Sequence, residues 1–540
     1  MPDTPPTPLA SPADQPLSRR RFLTGSTAAL ATLGAGGLLA ACGSATPSTT
    51  TTSSPATSVA TARPRRGGTL RAALSGGSSS DTLDAQQGIN NVDFARILQL
   101  YNPLVGYTPD VVPELALAEE ITPNANATVW TVRTKQGVLF HNGKELTADD
   151  VLFSINRIVR NNYPGASMLV GLKINEAKKL DTYTVSLPFS APYASLVEAM
   201  AGYEYYLNIV PVGYDPKHPI GTGPFMYKSF TPGLQSTFVR NPHYWESPGP
   251  YFDQVVITDY PDETTQINAL EGGSADVVNL LSASASTSVK SAGYGVLVSP
   301  AGGFTPFTMR VDVAPFNDVN VRQALRYIAG RHEMRDVVFD GDGLLGNDIF
   351  SIYDPEYDHS IPQRHEDFAH AKFLLKKAGQ EHLTVELVTA DIAQGTVSAA
   401  QVLAQQASQA GVTINLNKVT VTEFYGTNYL KWPFAQDYWY YSAYLPQVGQ
   451  AFLPNSPFNE THFDDPHYTA LYNEAVGTLD AAKQADIAHE MQQIDWSQGG
   501  YIIPYFPPVI DGYSPRVKGL LPSETGLSLG GYAFKRLWFA

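Results

Sequence analysis

The chain has 540 residues, 43% of them hydrophobic, which is enough for a large core and, at about 100–200 residues per domain, for several domains. Its 51 acidic and 36 basic side chains give a formal net charge of −15, which argues against nucleic acid as a partner. The only cysteine is Cys42, so an intramolecular disulfide and a cysteine metal cluster are both excluded.

The first predicted element is an export signal. Residues 18–23 read S-R-R-R-F-L, which resembles a twin-arginine motif, and residues 27–41 are weakly apolar. This run is too short and too rich in glycine for a membrane span, which needs about 20 strongly apolar residues. Residues 39–43, L-A-A-C-G, resemble a bacterial lipobox, so we expect residues 1–42 to be a lipoprotein signal with lipidation at Cys42.

Residues 43–66 form a predicted tether. They are rich in Thr, Ser, Ala and Pro and have almost no large apolar side chains. Such a segment cannot bury enough surface to offset the entropy lost on ordering. We expect a flexible link between the lipid and a globular part that starts near Gly67.

From Gly67 onward, β-rich runs alternate with helical patterns, which indicates a mixed α/β fold. Residues 67–76, G-G-T-L-R-A-A-L-S-G, and residues 182–189, T-Y-T-V-S-L-P-F, predict strands. Residues 128–141 predict a two-stranded hairpin with its turn at residues 135–137.

Residues 140–158 hold a histidine, carboxylates and basic groups, yet they predict structure rather than catalysis. Thr147 offers an N-cap hydroxyl, and Asp149 and Asp150 place negative charge in the first helical turn, where the helix dipole favours it. A general acid/base pair is the alternative. The residues that follow fit a helix with one apolar stripe, formed by Val151, Ile155, Ile158 and Val159.

The same stretch carries a family resemblance. Residues 138–158, V-L-F-H-N-G-K-E-L-T-A-D-D-V-L-F-S-I-N-R-I, are similar to a segment of extracellular solute-binding proteins of family 5, which feed dipeptide, oligopeptide and nickel ABC importers. Residues 219–245 resemble the family's G-T-G-P-[FY] turn and N-x-x-Y-W signature. Three further stretches agree in order, at residues 252–278, 317–334 and 501–520.

These motifs also have local structural roles. Gly221 and Gly223 are expected to adopt backbone conformations that side chains forbid, while Pro224 fixes φ before a strand. Asn317 or Asp318 is the predicted cap of a helix that follows. We expect all of these motifs to build the scaffold without contacting a ligand.

The resemblance implies an α/β, two-lobed periplasmic-binding-protein-like fold of type II with an extra subdomain in lobe one. The expected segments are lobe one at 67–302, lobe two at 303–497 and a return to lobe one at 498–540, with crossings near 301–308 and 495–501. The ligand would lie between the lobes. The implied partners are an ABC permease and its ATPase subunits, and the protein is expected to be an extracytoplasmic monomer without a cofactor.

The candidate ligand contacts lie in residues 424–444, where ten of the twenty-one residues are aromatic. Strand alternation would place Tyr438, Tyr440 and Ser442 on one face and Trp439, Tyr441 and Ala443 on the other. Packing of both faces inside lobe two is the alternative. The predicted ligand-binding residues are Tyr438, Trp439, Tyr440, Tyr441 and Tyr444, with Arg310 and Phe304 from the first crossing.

Two departures from the family bear on the ligand. Where peptide-binding relatives carry acids that pair with the ligand's ammonium group, this chain has Ala443 and Pro446, and Asp437 is too far along a strand to substitute. Arg310 stands where Asn is usual, and could clamp an anion or pair with an acidic side chain; the pair is favoured. We expect a neutral or anionic ligand with flat faces, such as a sugar, a blocked peptide or a glycoconjugate.

Enzyme and metal patterns are weak. Residues 526–530 fit G-x-S-x-G, but no acid or histidine follows Ser528, and residues 341–346 fit G-x-G-x-x-G without a phosphate-binding helix after them. The spacing of His359, His365 and His370 matches no zinc site. No catalytic or metal-binding residue is expected, although nickel-chelate carriers occur in the family. A lipid-anchored sensor and, distantly, a surface hydrolase are the alternative functions.

Overall fold

The computed structural model describes residues 63–540. The predicted signal, Cys42 and all but the last residues of the tether lie outside the described residues. Residues 63–66 are exposed, and residues 64–540 form one compact unit.

The first part of this unit carries lobe one. Its helices are α1 (Asn91–Leu100), α2 (Ala148–Arg160), α3 (Leu196–Gly202), α4 (Glu263–Glu271) and α5 (Ala283–Ser291). Its strands are β1 (Thr69–Ser75), β2 (Val105–Tyr107), β3 (Pro113–Leu115), β4 (Ala118–Pro123), β5 (Val129–Thr134), β6 (Lys178–Lys179), β7 (Thr184–Pro188), β8 (Phe225–Thr231), β9 (Gln235–Arg240), β10 (Gln254–Tyr260), β11 (Val277–Val278) and β12 (Gly295–Ser299).

The second part carries lobe two and the return to lobe one. Its helices are α6 (Val319–Ile328), α7 (Arg331–Phe339), α8 (Phe368–Lys377), α9 (Thr396–Gln409), α10 (Val421–Phe424), α11 (Tyr444–Ala451), α12 (Pro466–Val476) and α13 (Ala481–Gln498). Its strands are β13 (Phe307–Met309), β14 (Leu344–Leu345), β15 (Thr384–Thr389), β16 (Thr413–Lys418), β17 (Phe434–Gln436), β18 (Tyr501–Ile502), β19 (Tyr505–Phe506), β20 (Val509–Tyr513), β21 (Val517–Lys518) and β22 (Trp538–Phe539).

Lobe one is built on a seven-stranded mixed sheet in the order β12-β20-β11-β1-β10-β9-β8. The strand β1 pairs in parallel with both β10 and β11, which requires crossover connections. A four-stranded antiparallel sheet, β4-β5-β7-β6, together with α2 forms the extra subdomain. The predicted type II α/β fold with two lobes is therefore confirmed.

Lobe two has a three-stranded sheet, β17-β13-β18, and two strand pairs, β15 with β16 and β14 with β19. The first crossing lies between β12 in the large sheet and β13 in the small one, within residues 300–306. The strands β18 and β19 pair with β13 and β14, and β20 pairs with β11 and β12 in the large sheet.

The capped helix is confirmed. Thr147 is the N-cap of α2, its backbone N–H donates to the Asp150 carboxylate at 3.0 Å, and the buried side of the helix includes Val151, Ile155 and Ile158. Asp318 is the N-cap of α6, as expected. Both strands predicted at residues 67–76 and 182–189 are present as β1 and β7.

The hairpin predicted at residues 128–141 is wrong in its second arm. The first arm is β5, but it pairs with β4 and β7 rather than with the residues that follow it. Residues 138–145 instead form a tight turn in which Phe140 N–H donates to Lys144 O at 2.8 Å. The strand β5 thus pairs with β4 and β7 and not with the segment that directly follows it in sequence.

His141 joins two of the family motifs. Gly221 N–H donates to His141 Nδ1 at 3.2 Å, so Nε2 carries the proton and donates to Gly223 O at 3.1 Å. Gly221 and Gly223 let their backbone lie close to that of Leu100 and do not adopt a left-handed conformation. A methyl group on Gly221 would lie 2.0 Å from Leu100 O, and one on Gly223 would lie 2.4 Å from Leu100 C. The histidine is structural.

A substitution of His141 tests this role. Burial lowers the pKa of His141 to about 4, so its contribution to stability is present above its unfolded pKa of 6.5 and is lost as the pH falls toward 4. We expect His141→Phe to lower the free energy of unfolding by about 1–3 kcal/mol at pH 7, because it leaves the buried Gly221 N–H unpaired, whereas Gly223 O still accepts from Asn241 Nδ2 at 3.0 Å. Urea unfolding at pH 7 and pH 5 should also show a smaller acid-induced loss in the variant; an equal loss would contradict the role.

Among residues 63–540, no helix is both long and apolar enough to span a membrane. Within the same range, no group of three or more histidine, cysteine, aspartate or glutamate side chains is arranged to hold a metal ion.

Candidate functional site

Residues 438–442 of lobe two follow β17 and run beside lobe one. Trp439 and Phe304 form an antiparallel bridge with N–O distances of 2.9 Å in both directions. Gly303 permits this approach, because a methyl group there would lie 2.8 Å from Trp439 O. The segment is therefore fixed next to the first crossing between the lobes.

Tyr440 reaches lobe one directly. Its hydroxyl donates to Asn91 Oδ1, at the start of α1, over 2.8 Å. Its ring lies 6.1 Å from the ring of Phe94 and 6.2 Å from that of Tyr205, both in edge-to-face orientation. Tyr438 packs on Tyr440 at 5.8 Å. The predicted pairing of these two tyrosines on one face is therefore present.

The partners in lobe one come from α1 and from a short 3-10 helix, Glu204–Tyr206. Phe94 lies 4.2 Å from Tyr205, Tyr205 lies 4.7 Å from Tyr206, and Tyr206 stacks on Tyr203 at 6.3 Å. The interlobe aromatic cluster consists of Phe94, Tyr203, Tyr205, Tyr206, Tyr438 and Tyr440.

Charged groups beside the interlobe aromatic cluster are occupied within their own lobes. Asp93 accepts backbone N–H groups from Thr82 and Ile89, and burial raises its pKa to about 6. Asp437 accepts the hydroxyls of Tyr425 and Tyr429, both at 3.0 Å, and the backbone N–H of Tyr438. Both carboxylates therefore accept hydrogen bonds from their own lobe and stabilise its structure.

Tyr441 also faces lobe one, at a different place. Its ring lies 5.5 Å from that of Tyr107 in β2 and 6.4 Å from that of Tyr353. The alternation along residues 438–442 therefore turns Tyr440 and Tyr441 toward separate parts of the same lobe.

Three of the predicted residues lie inside lobe two. Trp439 donates from Nε1 to Glu460 Oε1 at 2.9 Å, and Phe304 is buried against Phe350. Tyr444 is fully buried and donates its hydroxyl to Asp495 Oδ2 at 2.6 Å. The placements of Trp439 and Tyr444 fit the alternative in which the aromatic run packs inside lobe two.

Arg310 is engaged by its own lobe. Its Nε donates to Asp312 Oδ1 at 3.0 Å, its Nη2 to Asp312 Oδ2 at 2.6 Å, and its Nη1 to the Lys431 carbonyl at 3.1 Å. The Arg310 guanidinium therefore pairs with an acidic side chain, Asp312, as expected, and does not form an anion clamp.

The sequence did not single out the residues of lobe one. Asn91, Phe94 and Tyr107 belong to ordinary helix and strand patterns, so nothing local distinguishes them. The run Y-E-Y-Y at residues 203–206 was the available signal, because closely spaced tyrosines are typical of ligand surfaces as well as of cores.

A further contact joins the lobes away from the cluster. Gln394, just before α9, donates from Nε2 to Leu281 O in lobe one at 2.6 Å. The extra subdomain also reaches lobe two, where Ala194 N–H donates to Val476 O at 2.6 Å. The lobes are therefore in contact at several points of the structure.

Comparison with known proteins agrees with this architecture. Residues 111–469 match the family model described as bacterial extracellular solute-binding proteins, family 5 Middle. The chain is 25% identical over 474 residues to heme-binding protein A of Haemophilus influenzae, covering 79% of this chain and 85% of the relative.

Two solved structures share the fold. The periplasmic binding protein DppA from Helicobacter pylori, in complex with the peptide STSA, has a TM-score of 0.74 at 20% identity and covers 88% of this chain and 98% of its own. The oligopeptide-binding protein AppA from Bacillus subtilis, in complex with a nonapeptide, has a TM-score of 0.72 at 22% identity, covering 88% and 100%. Because the family model matches more than half of the chain, the chain belongs to the bacterial extracellular solute-binding proteins of family 5.

Proposed function

We propose that this solute-binding component of an ABC importer captures a neutral solute with flat faces in the interlobe aromatic cluster and passes it to the permease unchanged. The observation that carries the proposal is the contact of Tyr440 with both Asn91 and Phe94 across the lobes. A solute held by rings from both lobes favours the closed state, because only that state makes both sets of contacts. Tyr438, Tyr440 and Tyr441 are the proposed contacts from lobe two.

The preference for a neutral solute follows from the charges near the cluster. Arg310 is paired with Asp312, and Asp93 and Asp437 are satisfied by donors of their own lobes. Ala443 and Pro446 stand where peptide-binding relatives carry acids. A buried ammonium group without a carboxylate partner is costly, so a free amino terminus is disfavoured.

The two solved relatives hold peptides, so a blocked peptide belongs in the proposed class together with sugars and glycoconjugates. We further propose twin-arginine export, a lipid anchor on Cys42, and a monomeric mature protein whose tether spans residues 43–66. Mass spectrometry of the protein purified from membranes tests the anchor: diacylglycerol on an N-terminal Cys42 is expected, and an unmodified Cys42 would contradict it.

A matched pair of tripeptides tests the ligand class. We expect the acetylated and amidated form to bind at least about tenfold more tightly than the same tripeptide with free ends, because it buries no charge. Calorimetry measures both, and intact mass of the native against the denatured protein identifies any solute retained from the cell. Tighter binding of the free form would contradict the proposal, and turnover of the bound solute would contradict release unchanged.

A further inference from the structure

A cavity lies inside lobe one, apart from the interlobe aromatic cluster. It has a volume of about 400 Å³ and is lined by residues of α1, β2 and β3, residues 244–247 and residues 523–536. This volume is within the range of about 300–1,000 Å³ typical of small-molecule sites. The 3-10 helix Glu204–Tyr206 separates the two places: Tyr205 belongs to the cluster, while Glu204 lines the cavity.

Two residues of the cavity lining carry polar atoms that have no protein partner. Gln99 is 1% exposed; its Nε2 donates to Ala95 O and Tyr532 O, but its Oε1 has no hydrogen bond. The Tyr107 hydroxyl is likewise buried without a partner. Buried polar atoms are rarely left unpaired in proteins, so each calls for a donor or a bound molecule. Gln99 Oε1 accepts only, so what it lacks is a donor.

The cavity lining has three carboxylates, Glu114, Glu204 and Glu246, and three cations, Lys135, Lys535 and Arg536. Lys535 pairs with Glu246, while Lys135 donates to Leu115 O at 3.1 Å and lies 4.6 Å from the centre of the Trp245 ring. Both lysines are thus occupied, and Arg536, the third cation of the lining, acts electrostatically on Glu246. Glu204 is held by a different kind of contact, because its Oε2 accepts the backbone N–H of Tyr107 at 3.3 Å. Among the described residues, Glu204 forms no salt bridge.

The position of Glu204 is fixed by close packing. A methyl group on Gly106 would lie 2.2 Å from Glu204 Oε2, so only glycine leaves room for the carboxylate at this place. Burial raises the pKa of Glu204 to about 7. A half-buried carboxylate that forms no salt bridge is stabilised by a positively charged guest.

A strained turn, residues 529–532, contributes its last three residues to the cavity lining. Leu529, Gly530, Gly531 and Tyr532 are consecutive left-handed residues, with φ of 54°, 68°, 77° and 52°. A left-handed backbone costs about 1–2 kcal/mol for each residue other than glycine, and such strain clusters at ligand clamps. Asp511 accepts the Leu529 N–H at 2.5 Å and Gln99 holds the Tyr532 carbonyl, so the turn is clamped against the cavity.

We propose that the cavity in lobe one is a second binding site, distinct from the interlobe aromatic cluster, and that it takes a small primary amine whose ammonium group is received by Glu204 and Gln99 Oε1. Apolar side chains of the lining, Leu98, Leu115 and Phe534, receive a short carbon chain. The site does not depend on the solute proposed for the cleft.

Calorimetry with n-pentylamine, 1-pentanol and pentanoate on the mature protein tests the site. We expect one pentylamine per protein, with binding at least about tenfold tighter than that of the alcohol or the acid. Glu204→Gln keeps the shape of the side chain and should weaken pentylamine binding at least about tenfold, whereas Tyr438→Ala in the cleft should leave it unchanged. Should Glu204→Gln fail to fold, Gln99→Met, which removes the unpaired acceptor, replaces it.

The other outcomes overturn the proposal. No pentylamine binding at millimolar concentration, or pentanoate binding as tightly as the amine, would do so. Equal binding by Glu204→Gln would remove the assigned role of the carboxylate. Loss of pentylamine binding in Tyr438→Ala would place the amine in the cleft, so failure here is distinguishable from failure of the proposed function. Pentylamine binding should also strengthen from pH 6 to pH 8, because Glu204 must be ionised to receive the ammonium group. The other charged groups of the cavity lining are Glu114, Glu246, Lys135, Lys535 and Arg536.

Discussion

Asp348→Asn is expected to lower the free energy of unfolding by about 3–5 kcal/mol, because it leaves buried guanidinium groups without their counterion. The Asp348 carboxylate is fully buried and lies 2.7 Å from Arg331 Nη2, 2.9 Å from Arg364 Nε and 3.8 Å from Arg326 Nε. The three arginine side chains are at most 2% exposed. At this degree of burial, bulk solvent screens little of the charge that the substitution uncovers.

Two of these arginines, Arg326 and Arg364, also hold the end of α13. Arg326 donates to Asp495 O at 3.1 Å and to Trp496 O at 2.7 Å, and Arg364 donates to Trp496 O at 2.8 Å. Positive charge at a helix C-terminus is stabilising because it complements the helix dipole. Asp348 therefore neutralises a cluster that anchors α13 shortly before the chain returns to lobe one.

Urea unfolding followed by tryptophan fluorescence measures the effect, with Asp312→Asn as the matched control. Asp312 also pairs with an arginine, Arg310, but it is 41% exposed, so its loss should cost less than about 1 kcal/mol. Burial alone would raise the pKa of Asp348, but the guanidiniums outweigh it and hold the pKa below its usual value. The contribution of the Asp348 carboxylate to the free energy of unfolding is therefore present above pH 4 and lost in stronger acid. A cost for Asp348→Asn equal to that of the control would contradict the assignment.

Tyr440→Ala is expected to weaken solute binding by about 30-fold or more, equivalent to roughly 2 kcal/mol, as for a central aromatic contact of an interface. The substitution removes both a ring of the interlobe aromatic cluster and the bond to Asn91 that links the lobes. The solute that copurifies with the protein, or the blocked tripeptide, serves as the probe in calorimetry.

Two further variants separate the causes. Tyr440→Phe keeps the ring and loses only the hydroxyl bond, so a loss of about fivefold, near 1 kcal/mol, is expected. Tyr444→Phe removes a hydroxyl that is buried against Asp495, so stability should fall while solute affinity stays unchanged. Binding by Tyr440→Ala within threefold of the wild type, or loss of affinity in Tyr444→Phe, would overturn the proposed contact set.

Local patterns along the chain were sufficient for the family and for several elements. The capped helix at Ala148–Arg160, the strand at Thr69–Ser75 and the cap at Asp318 all follow from caps and periodicity within a few residues. The alternation in residues 438–442 also predicted that Tyr438 and Tyr440 share a face. Backbone preferences and apolar spacing are properties of neighbours in sequence, so a single sequence contains them.

Pairings over long sequence distances were decided only in the tertiary structure. The sequence by itself determined that residues 438–442 offer aromatic rings, but not that Tyr440 meets Asn91 while Tyr444 turns into the core of lobe two. It marked Asp437 as a misplaced amine anchor, whereas the fold surrounds this carboxylate with tyrosine hydroxyls. The physical reason is that packing and burial depend on which distant segments come together, and many partners satisfy the same local pattern.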